Sequence, residues 1–101
     1  MNPFRGPKLE SKFRIVWTDD AIAHLEAIID YVSAFNPAAA ARLAERLVVL
    51  ADSLDSCPSR GREAGGGTRE MTTVWLYILR YRVEGDQVLI LRIRHGARAE
   101  E

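Results

Sequence analysis

The sequence predicts an α+β domain in which an antiparallel helical hairpin packs on one face of an antiparallel sheet. Three observations support this fold class: an apolar run near the N-terminus, two consecutive segments with helical periodicity, and a hairpin pattern in the C-terminal part. With 101 residues, of which 48% are hydrophobic, the chain has the size and composition of one domain with one core.

The N-terminal residues are predicted to form an arm and then the first strand. Residues 1–12 contain two prolines and four charged side chains, so we expect a flexible arm there. The domain is predicted to span residues 13–98, and residues 99–101 are a tail. Its first strand is the β-type run FRIVW at residues 13–17.

Two helices are predicted next, joined by a short turn. Thr18 is expected to cap the first helix, residues 19–35, because its hydroxyl can accept a hydrogen bond from the first turn. Asn36 and Pro37 mark the end of this helix and the start of the second, residues 37–56. The apolar stripes expected to face the core are Ile22, Leu25, Ile28, Ile29, Val32 and Phe35 on the first helix and Leu43, Leu47, Leu50 and Leu54 on the second.

The C-terminal part of the chain is predicted to form a loop followed by a three-stranded meander. Residues 59–67 include three consecutive glycines and are predicted to form one long, mobile loop. Residues 68–73 form the next strand, and two apolar-rich runs between residues 77 and 96 flank the turn signal Glu84-Gly85-Asp86. We expect the hairpin made by these two runs to lie at the centre of the sheet.

The register of this hairpin has two solutions. A two-residue turn at Gly85-Asp86 pairs Val83 with Val88, whereas the alternation of apolar residues requires a bulge or a three-residue loop. We favour the bulge or longer loop. The residues that would then share the face away from the helices are Arg80, Arg82, Arg92, Arg94, Ile78, Val88 and Ile90. A mixed basic and apolar face of this kind is typical of a protein-binding surface.

Charge is divided unevenly along a chain whose net charge is zero. Residues 19–55 carry seven acidic and two basic side chains, whereas residues 60–98 carry eight arginines and four acidic side chains. Arginine suits carboxylate and phosphate partners. Mutual neutralisation of the two halves within the fold would explain the pattern equally well.

Other features argue against several classes of site. The apolar stretches are too short to cross a membrane, and no secretory signal pattern is present. Cys57 is the single cysteine, so an internal disulfide is impossible, which fits the cytoplasm. His24 is expected to be exposed on the first helix. His24, Cys57 and His95 do not have the sequence spacing of metal ligands, so neither a metal nor another cofactor is predicted.

The order and spacing of many short motifs resemble the toxins of the RelE/ParE superfamily. The likeness extends over about residues 14–98 and is closer to the ParE, or plasmid-stabilisation, branch. The motifs that match are Trp17-Thr18-Asp19-Asp20-Ala21, Leu25, Ile28, Tyr31, Asn36-Pro37, Leu54, Pro58, Gly61-Arg62, Thr68-Arg69-Glu70, Tyr77-Ile78, Tyr81-Arg82-Val83, Ile90-Leu91-Arg92 and Arg94-His95-Gly96-Ala97-Arg98.

The resemblance implies the toxin of a bacterial type II toxin–antitoxin system. Such a toxin is held inactive in a hetero-oligomer by its antitoxin, here expected to be a small ParD-like protein whose tail wraps the helices and the sheet. ParE-like toxins are understood to inhibit DNA gyrase and so DNA replication, whereas RelE-like toxins cleave messenger RNA on the ribosome. A third alternative is a non-toxic remnant that only binds its antitoxin.

These alternatives assign different roles to overlapping residues. In a metal-free endoribonuclease, His95 would be the acid or base, and Arg80 and Arg62 would hold phosphate. The residues expected to bind the gyrase target are Arg69, Arg80, Arg82, Arg92, Arg94 and His95. The residues expected to bind the antitoxin are Ile78, Val88, Ile90, Arg82 and Arg92.

The composition of the C-terminal half favours gyrase binding over RNA cleavage. Lysine is absent after Lys12, and no carboxylate is evidently paired with His95. A net charge of zero is also unfavourable for a protein that must find ribosomal RNA, because such binding rests on neutralising phosphates. We therefore predict a cytoplasmic toxin that binds gyrase without catalysis and binds neither a membrane nor, by itself, DNA.

Overall fold

The computed structural model describes residues 13–72 and 77–96, which form two helices packed against a five-stranded sheet. The strand order β1-β5-β4-β3-β2 places the predicted hairpin at the centre, as expected. The predicted arm at residues 1–12 and tail at residues 99–101 lie outside the described residues. The elements in chain order are β1 (Arg14–Trp17), α1 (Asp19–Ser33), α2 (Pro37–Asp52), a 3₁₀ turn (Ser53–Asp55), β2 (Arg62–Gly65), β3 (Thr68–Thr72), β4 (Tyr77–Glu84) and β5 (Gln87–His95).

Side-chain caps begin both helices where the sequence predicts them. The Thr18 hydroxyl accepts a hydrogen bond from the amide of Ala21 at 3.2 Å and donates to the carbonyl of Ile90 at 2.8 Å. The Asn36 side chain accepts from the amide of Ala39 at 3.0 Å. Thr18 therefore joins the start of α1 to β5 as well as capping the helix.

The buried face of α1 differs from the predicted stripe at its two ends. Ala21 is fully buried, and Leu25 packs against the core with Ile28 and Val32. Ile22 and Phe35 are exposed, so the prediction is wrong for both. Because the Thr18 cap is bound to β5, it sets the rotation of the helix and turns Ala21, rather than Ile22, toward the sheet.

The buried face of α2 matches its predicted stripe except at Leu50, which is half-buried and lies outside the core cluster. Leu43 and Leu47 are buried against the sheet, as is Leu54 in the following 3₁₀ turn, and Ala40 and Ala51 lie beside them. Small residues next to this leucine row let α2 approach α1 closely. Neither helix in the described part of the chain is long and apolar enough to cross a bilayer.

A short strand, β2, lies inside the predicted loop over residues 59–67. It pairs antiparallel with β3. Four strands therefore follow the helices, whereas the sequence predicted a meander of three. Gly65, Gly66 and Gly67 have φ angles of 90°, 63° and 76°, which favour glycine and reverse the chain between the two strands. The sequence REAG of β2 has no apolar alternation, so only the ladder with β3 identifies it as a strand.

The first strand makes the sheet mixed rather than fully antiparallel. β1 pairs in parallel with β5, and Trp17 lies opposite Ile90. The chain crosses from one to the other through both helices, β2, β3 and β4. Because β1 and β5 are far apart in the sequence, the direction of their pairing depends on how the elements between them pack. No local sequence pattern indicates that direction.

The central hairpin has both a tight turn and a bulge. Glu84 pairs with Gln87, so the loop is the two-residue turn rather than the longer loop. A bulge at Leu91 then interrupts the ladder between the pairs Tyr81–Ile90 and Arg80–Arg92.

This bulge decides which side chains of β5 enter the core. Val88 and Ile90 face the helices on one side of it and are fully buried, and Ile93 faces the helices on the other side. The predicted outward position of Val88 and Ile90 is therefore wrong. The bulge that the alternation requires is present, but it lies in the middle of the strand and not beside the turn.

Tyr81 connects the hairpin to the loop that precedes β2. Its hydroxyl accepts from the amide of Gly61 at 2.8 Å and donates to the carbonyl of Pro58 at 2.7 Å. A side chain at Gly61 would lie 2.8 Å from this hydroxyl and 2.8 Å from the Glu70 carbonyl, so only glycine fits there. The loop is thus held against the sheet by one buried phenol.

Replacing Tyr81 by Phe should lower the free energy of unfolding by about 1–3 kcal/mol, because two backbone groups lose a buried partner. Urea denaturation followed by circular dichroism measures this change. Tyr31→Phe is the matched control, since Tyr31 is exposed on α1, and it should change stability by less than about 0.5 kcal/mol. Equal changes in the two variants would show that the two hydrogen bonds of the Tyr81 hydroxyl contribute nothing to stability.

Candidate functional site

The outer face of the sheet, which points away from the helices, carries the densest cluster of charge in the described structure. Its members alternate along the strands with the core residues. The residues that form the outer face are Arg62, Glu70, Ile78, Arg80, Arg82, Leu89, Leu91, Arg92 and Arg94. Arg62, Glu70, Arg80 and Arg92 lie opposite one another on β2, β3, β4 and β5 and make one row across the sheet.

Glu70 is the centre of this row. Its side chain is only 5% exposed although it lies on the face that the helices leave uncovered. Arg80 donates to one carboxylate oxygen through Nε at 2.9 Å and through Nη2 at 2.7 Å. Arg94 donates to the same oxygen at 3.2 Å, and Arg62 lies 3.7 Å from the other one. The arginine side chains themselves cover the carboxylate.

The surrounding arginines keep Glu70 ionised. Burial of the carboxylate raises its pKa, but the hydrogen bonds and positive charges of Arg80 and Arg94 outweigh burial and hold the pKa of Glu70 below its ordinary value of 4.5. The side chains of Arg80 and Arg94 are 32% and 23% exposed, so each guanidinium still reaches the surface. The carboxylate therefore fixes the orientation of two cations that a partner can touch.

Positive charge exceeds negative charge on the outer face. Arg92 is exposed and makes no ion pair within residues 13–72 and 77–96. Arg82 reaches the Gly66 carbonyl at 3.3 Å and Glu84 at 3.5 Å, at the turn end of the sheet. Half-buried apolar side chains such as Leu89 separate the cations. The surface can bind carboxylates or phosphates while offering apolar contact, as a protein-binding face does.

Arg69, a predicted target-binding residue, does not belong to the outer face. It lies opposite Tyr81, so its side chain is on the other side of β3 from Glu70. It donates to the carbonyl of Gly61 at 2.7 Å and that of Ser59 at 3.4 Å. Its contacts therefore hold the loop before β2, and strand alternation separates it from its neighbour in the sequence.

His95 also lies away from the arginine row. It pairs with Tyr77 at the end of the hairpin, and the two rings meet edge to face with centroids 5.1 Å apart. Both rings line pockets on the helix side of the sheet. Arg80 and Arg62, the other two residues predicted for RNA cleavage, lie on the outer face. The structure does not bring this trio together.

The residues predicted to bind an antitoxin are divided by the fold. Ile78, Arg82 and Arg92 remain on the outer face, where a partner can reach them. Val88 and Ile90 are fully buried under the helices and offer no surface to a partner. The bulge at Leu91 is the reason, because it turns both residues inward.

Sequence reasoning missed the role of Glu70 and the position of His24. The signal for Glu70 was that it is the single acidic residue in a strand next to arginine-rich strands. His24 was expected to be exposed, but it is half-buried and its Nδ1 accepts from the amide of Ile93 at 3.3 Å. That contact satisfies a backbone group just beyond the bulge.

Comparison with known proteins identifies toxins of one family. Residues 15–100 match the family model described as ParE toxin of type II toxin-antitoxin system, parDE. The chain is 49% identical over 85 residues to toxin RelE2 of Caulobacter vibrioides, covering 84% of this chain and 97% of that protein. It is 45% identical over 64 residues to toxin RelE1 of the same bacterium, covering 60% and 69%.

A solved structure shares the fold. A chain of the chromosomal ParDE TA system from P. aeruginosa superposes with a TM-score of 0.76 at 27% sequence identity. The superposition covers 84% of this chain and 97% of that chain. The likeness therefore extends through the helical pair and the sheet that carries the outer face.

Replacing Glu70 by Gln should destabilise the fold by about 1–3 kcal/mol at neutral pH, because Arg80 and Arg94 lose their buried carboxylate. Since the pKa of Glu70 is lowered in the folded state, its contribution is present above the pKa of the unfolded chain and is lost as pH falls through the folded value. The stability of the wild type should therefore converge on that of Glu70→Gln in acid. Urea midpoints measured across this acid range test the prediction.

The matched control for this titration is Glu63→Gln. Glu63 is 85% exposed and lies 3.8 Å from Arg69, so its replacement should change stability by less than about 0.5 kcal/mol and leave the acid dependence intact. A gap between wild type and Glu70→Gln that stays constant with pH would contradict the ionised cluster.

Proposed function

We propose that this chain, which belongs to the ParE toxin family of type II toxin–antitoxin systems, binds DNA gyrase through the outer face and so stops DNA replication. The protein is the toxin of such a system, and an antitoxin is its partner. The gyrase target and the contact surface are our proposal. Because gyrase works on DNA inside the cell, the proposed site of action is the cytoplasm.

The observation that carries this proposal is the orientation of Arg80 and Arg94 by a buried carboxylate. A guanidinium held in place loses little side-chain freedom when a partner carboxylate binds it. Arg92 adds an exposed cation in the same row, and Ile78 adds apolar contact area. A rigid, mixed surface of this kind is suited to recognising a protein.

The separation of His95 from Arg80 and Arg62 supports binding over RNA cleavage. A metal-free cleavage reaction needs an acid or base and phosphate-holding cations around one phosphate. Here the histidine is on the helix side and the two arginines are on the other side, where Glu70 occupies them. We therefore propose no catalytic residue for this protein.

The antitoxin is proposed to be a ParD-like protein that contacts the outer face at Ile78, Arg82 and Arg92. These three residues are accessible at the surface, whereas Val88 and Ile90 are fully buried. An antitoxin seated there would cover the cations proposed to meet gyrase, so one surface would serve both partners. This competition would explain how the toxin is neutralised.

Purified toxin at micromolar concentration should inhibit supercoiling of relaxed plasmid by purified gyrase, and antitoxin should relieve the inhibition. No inhibition together with codon-positioned cuts in ribosome-bound message, lost in His95→Ala, would replace the proposal with RNA cleavage. If the protein shows neither gyrase inhibition nor RNA cleavage but still binds the antitoxin, it is a non-toxic remnant.

Arg92→Glu should weaken the inhibition of supercoiling about tenfold, because it reverses an exposed charge on the proposed contact surface. The new carboxylate would lie opposite Arg80, so the fold has a partner for it. Arg60→Glu is the matched control: Arg60 is an exposed arginine that donates to Ser53 at 2.7 Å, off the outer face, and its reversal should leave inhibition within about twofold. Equal losses in both variants would mean that only total charge matters.

A further inference from the structure

The exposed side of the two helices carries two charged pairs of opposite sign. α1 exposes Glu26 and Asp30, which are one helical turn apart, and this helix contains neither lysine nor arginine. α2 exposes Arg42 and Arg46 at the same spacing. We call this surface the helical face, and its main members are Ile22, Glu26, Asp30, Arg42, Arg46 and Val49.

The four charges of the helical face have no partner within residues 13–72 and 77–96. Glu26 and Asp30 form no ion pair there, and neither do Arg42 and Arg46. Glu45, which lies between the two arginines in α2, is not paired with either of them. The described chain thus leaves an acidic pair on one helix and a basic pair on the next for a partner outside it.

The acidic and basic pairs occupy matching heights along the two antiparallel helices. Asp30 lies six residues before Asn36 at the joint between the helices, and Arg42 lies six residues after it. Glu26 and Arg46 are each ten residues from Asn36, again on opposite sides. Because both helices rise by about 1.5 Å per residue, each carboxylate residue is level with one arginine.

A twofold rotation about an axis parallel to the helices would bring these charges together between two copies of the chain. The rotation places α1 of one copy against α2 of the other and leaves heights along the axis unchanged. Asp30 then lies opposite the partner's Arg42, and Glu26 lies opposite the partner's Arg46. Each contact occurs twice, because a twofold interface is made by the same surface of both copies.

Apolar side chains extend the match to the end of the helices far from the joint. Ile22 lies fourteen residues before Asn36, and Val49 lies thirteen residues after it. Both side chains are exposed, by 40% and 59%. The same rotation therefore sets Ile22 opposite the partner's Val49, which removes apolar surface from water beside the ion pairs.

The end of the helical face near the joint combines large and small side chains. Tyr31 and Phe35 stack edge to face with ring centroids 5.3 Å apart, and both are exposed. At the corresponding heights on α2, Ala38 and Ala41 are exposed. In the rotated copy these alanines lie opposite the two rings, and their small side chains leave room for them.

We propose that the helical face binds a second copy of this chain and forms a twofold-symmetric toxin dimer. Charge complementarity selects this occupant, because each copy carries both members of each ion pair at matching heights. The apolar contacts at the two ends of the helices agree with the same rotation. The inference goes beyond the proposed function and does not depend on the gyrase target.

The size of the helical face indicates a weak dimer. The helices have 15 and 16 residues, and two such helices side by side cover a footprint of roughly 23 by 20 Å. This is small compared with the surface of about 800 Å² that each partner buries in a standard stable interface. We therefore expect a dissociation constant on the order of micromolar, so that monomer and dimer coexist.

Dimerisation through the helices would leave both outer faces accessible. In each copy the helices cover one side of the sheet, and Arg80 and Arg92 lie on the other side. The outer faces of the two copies then point away from one another. One dimer presents two cationic faces at once and can hold two target sites.

The decisive experiment measures the mass of the full chain by sedimentation velocity at concentrations from about 1 to about 500 μM. The wild type should pass from monomer to dimer over this range, and added salt should favour the monomer. Arg42→Glu with Arg46→Glu should raise the dissociation constant at least about 100-fold, because attraction becomes repulsion. Glu26→Arg with Asp30→Arg should do the same from the other side of the interface.

An equimolar mixture of these two double variants tests the pairing itself. In a mixed dimer each acidic pair again meets a basic pair, so the mixture should dimerise although each variant alone is monomeric. This result would also show that both variants fold. The matched control is Arg14→Glu with Arg92→Glu, which changes the net charge as much as the Arg42 and Arg46 reversal but lies on the sheet. Its dissociation constant should stay within about threefold of the wild type.

Three outcomes would overturn the proposal. A wild type that stays monomeric at the highest concentration would leave the helical face to a different protein. Equally stable dimers of the wild type and both double variants would place the contact elsewhere on the chain. A mixture that stays monomeric, although both variants keep the urea midpoint of the wild type, would exclude the twofold pairing. A dimer that leaves gyrase fully active would remove only the gyrase proposal.

Discussion

The burial of one carboxylate on the uncovered face of the sheet is the constraint on which the candidate surface depends. Glu70 is 5% exposed, and a buried charge of this kind is tolerable only when cations and hydrogen bonds surround it. Arg80 and Arg94 supply them from the central hairpin, and Arg62 approaches from β2. Because these arginines come from three strands, the ionised cluster also holds the sheet's register on that face.

The helix side of the sheet has a different chemistry, since strand alternation sends every second residue there. The Tyr81 hydroxyl accepts a hydrogen bond from the loop before β2, and Arg69 donates one to a backbone carbonyl of the same loop. The His95 ring contacts the Tyr77 ring edge to face at the end of the hairpin. Residues that are neighbours in the sequence thus serve opposite faces.

Much of the fold was predictable because its determinants are local. The caps at Thr18 and Asn36, the helical hairpin and the leucine stripe of α2 depend on residues within a few positions of one another. The bulge was predictable for a related reason, since the apolar alternation of the two strands conflicts with a tight turn. The position of Arg80, Arg82, Arg92 and Arg94 on the outer face followed from the same alternation.

The sequence by itself determined the fold class, the helical pair, the central hairpin and the presence of an arginine-rich face. Only the tertiary structure decided that β2 is a strand, that β1 pairs in parallel with β5, and that Val88 and Ile90 are core residues. It likewise decided that Glu70 gathers the arginines and that His95 lies apart from them. The physical reason is common to all of these: each depends on which strand lies beside which, and those contacts join residues far apart in the chain.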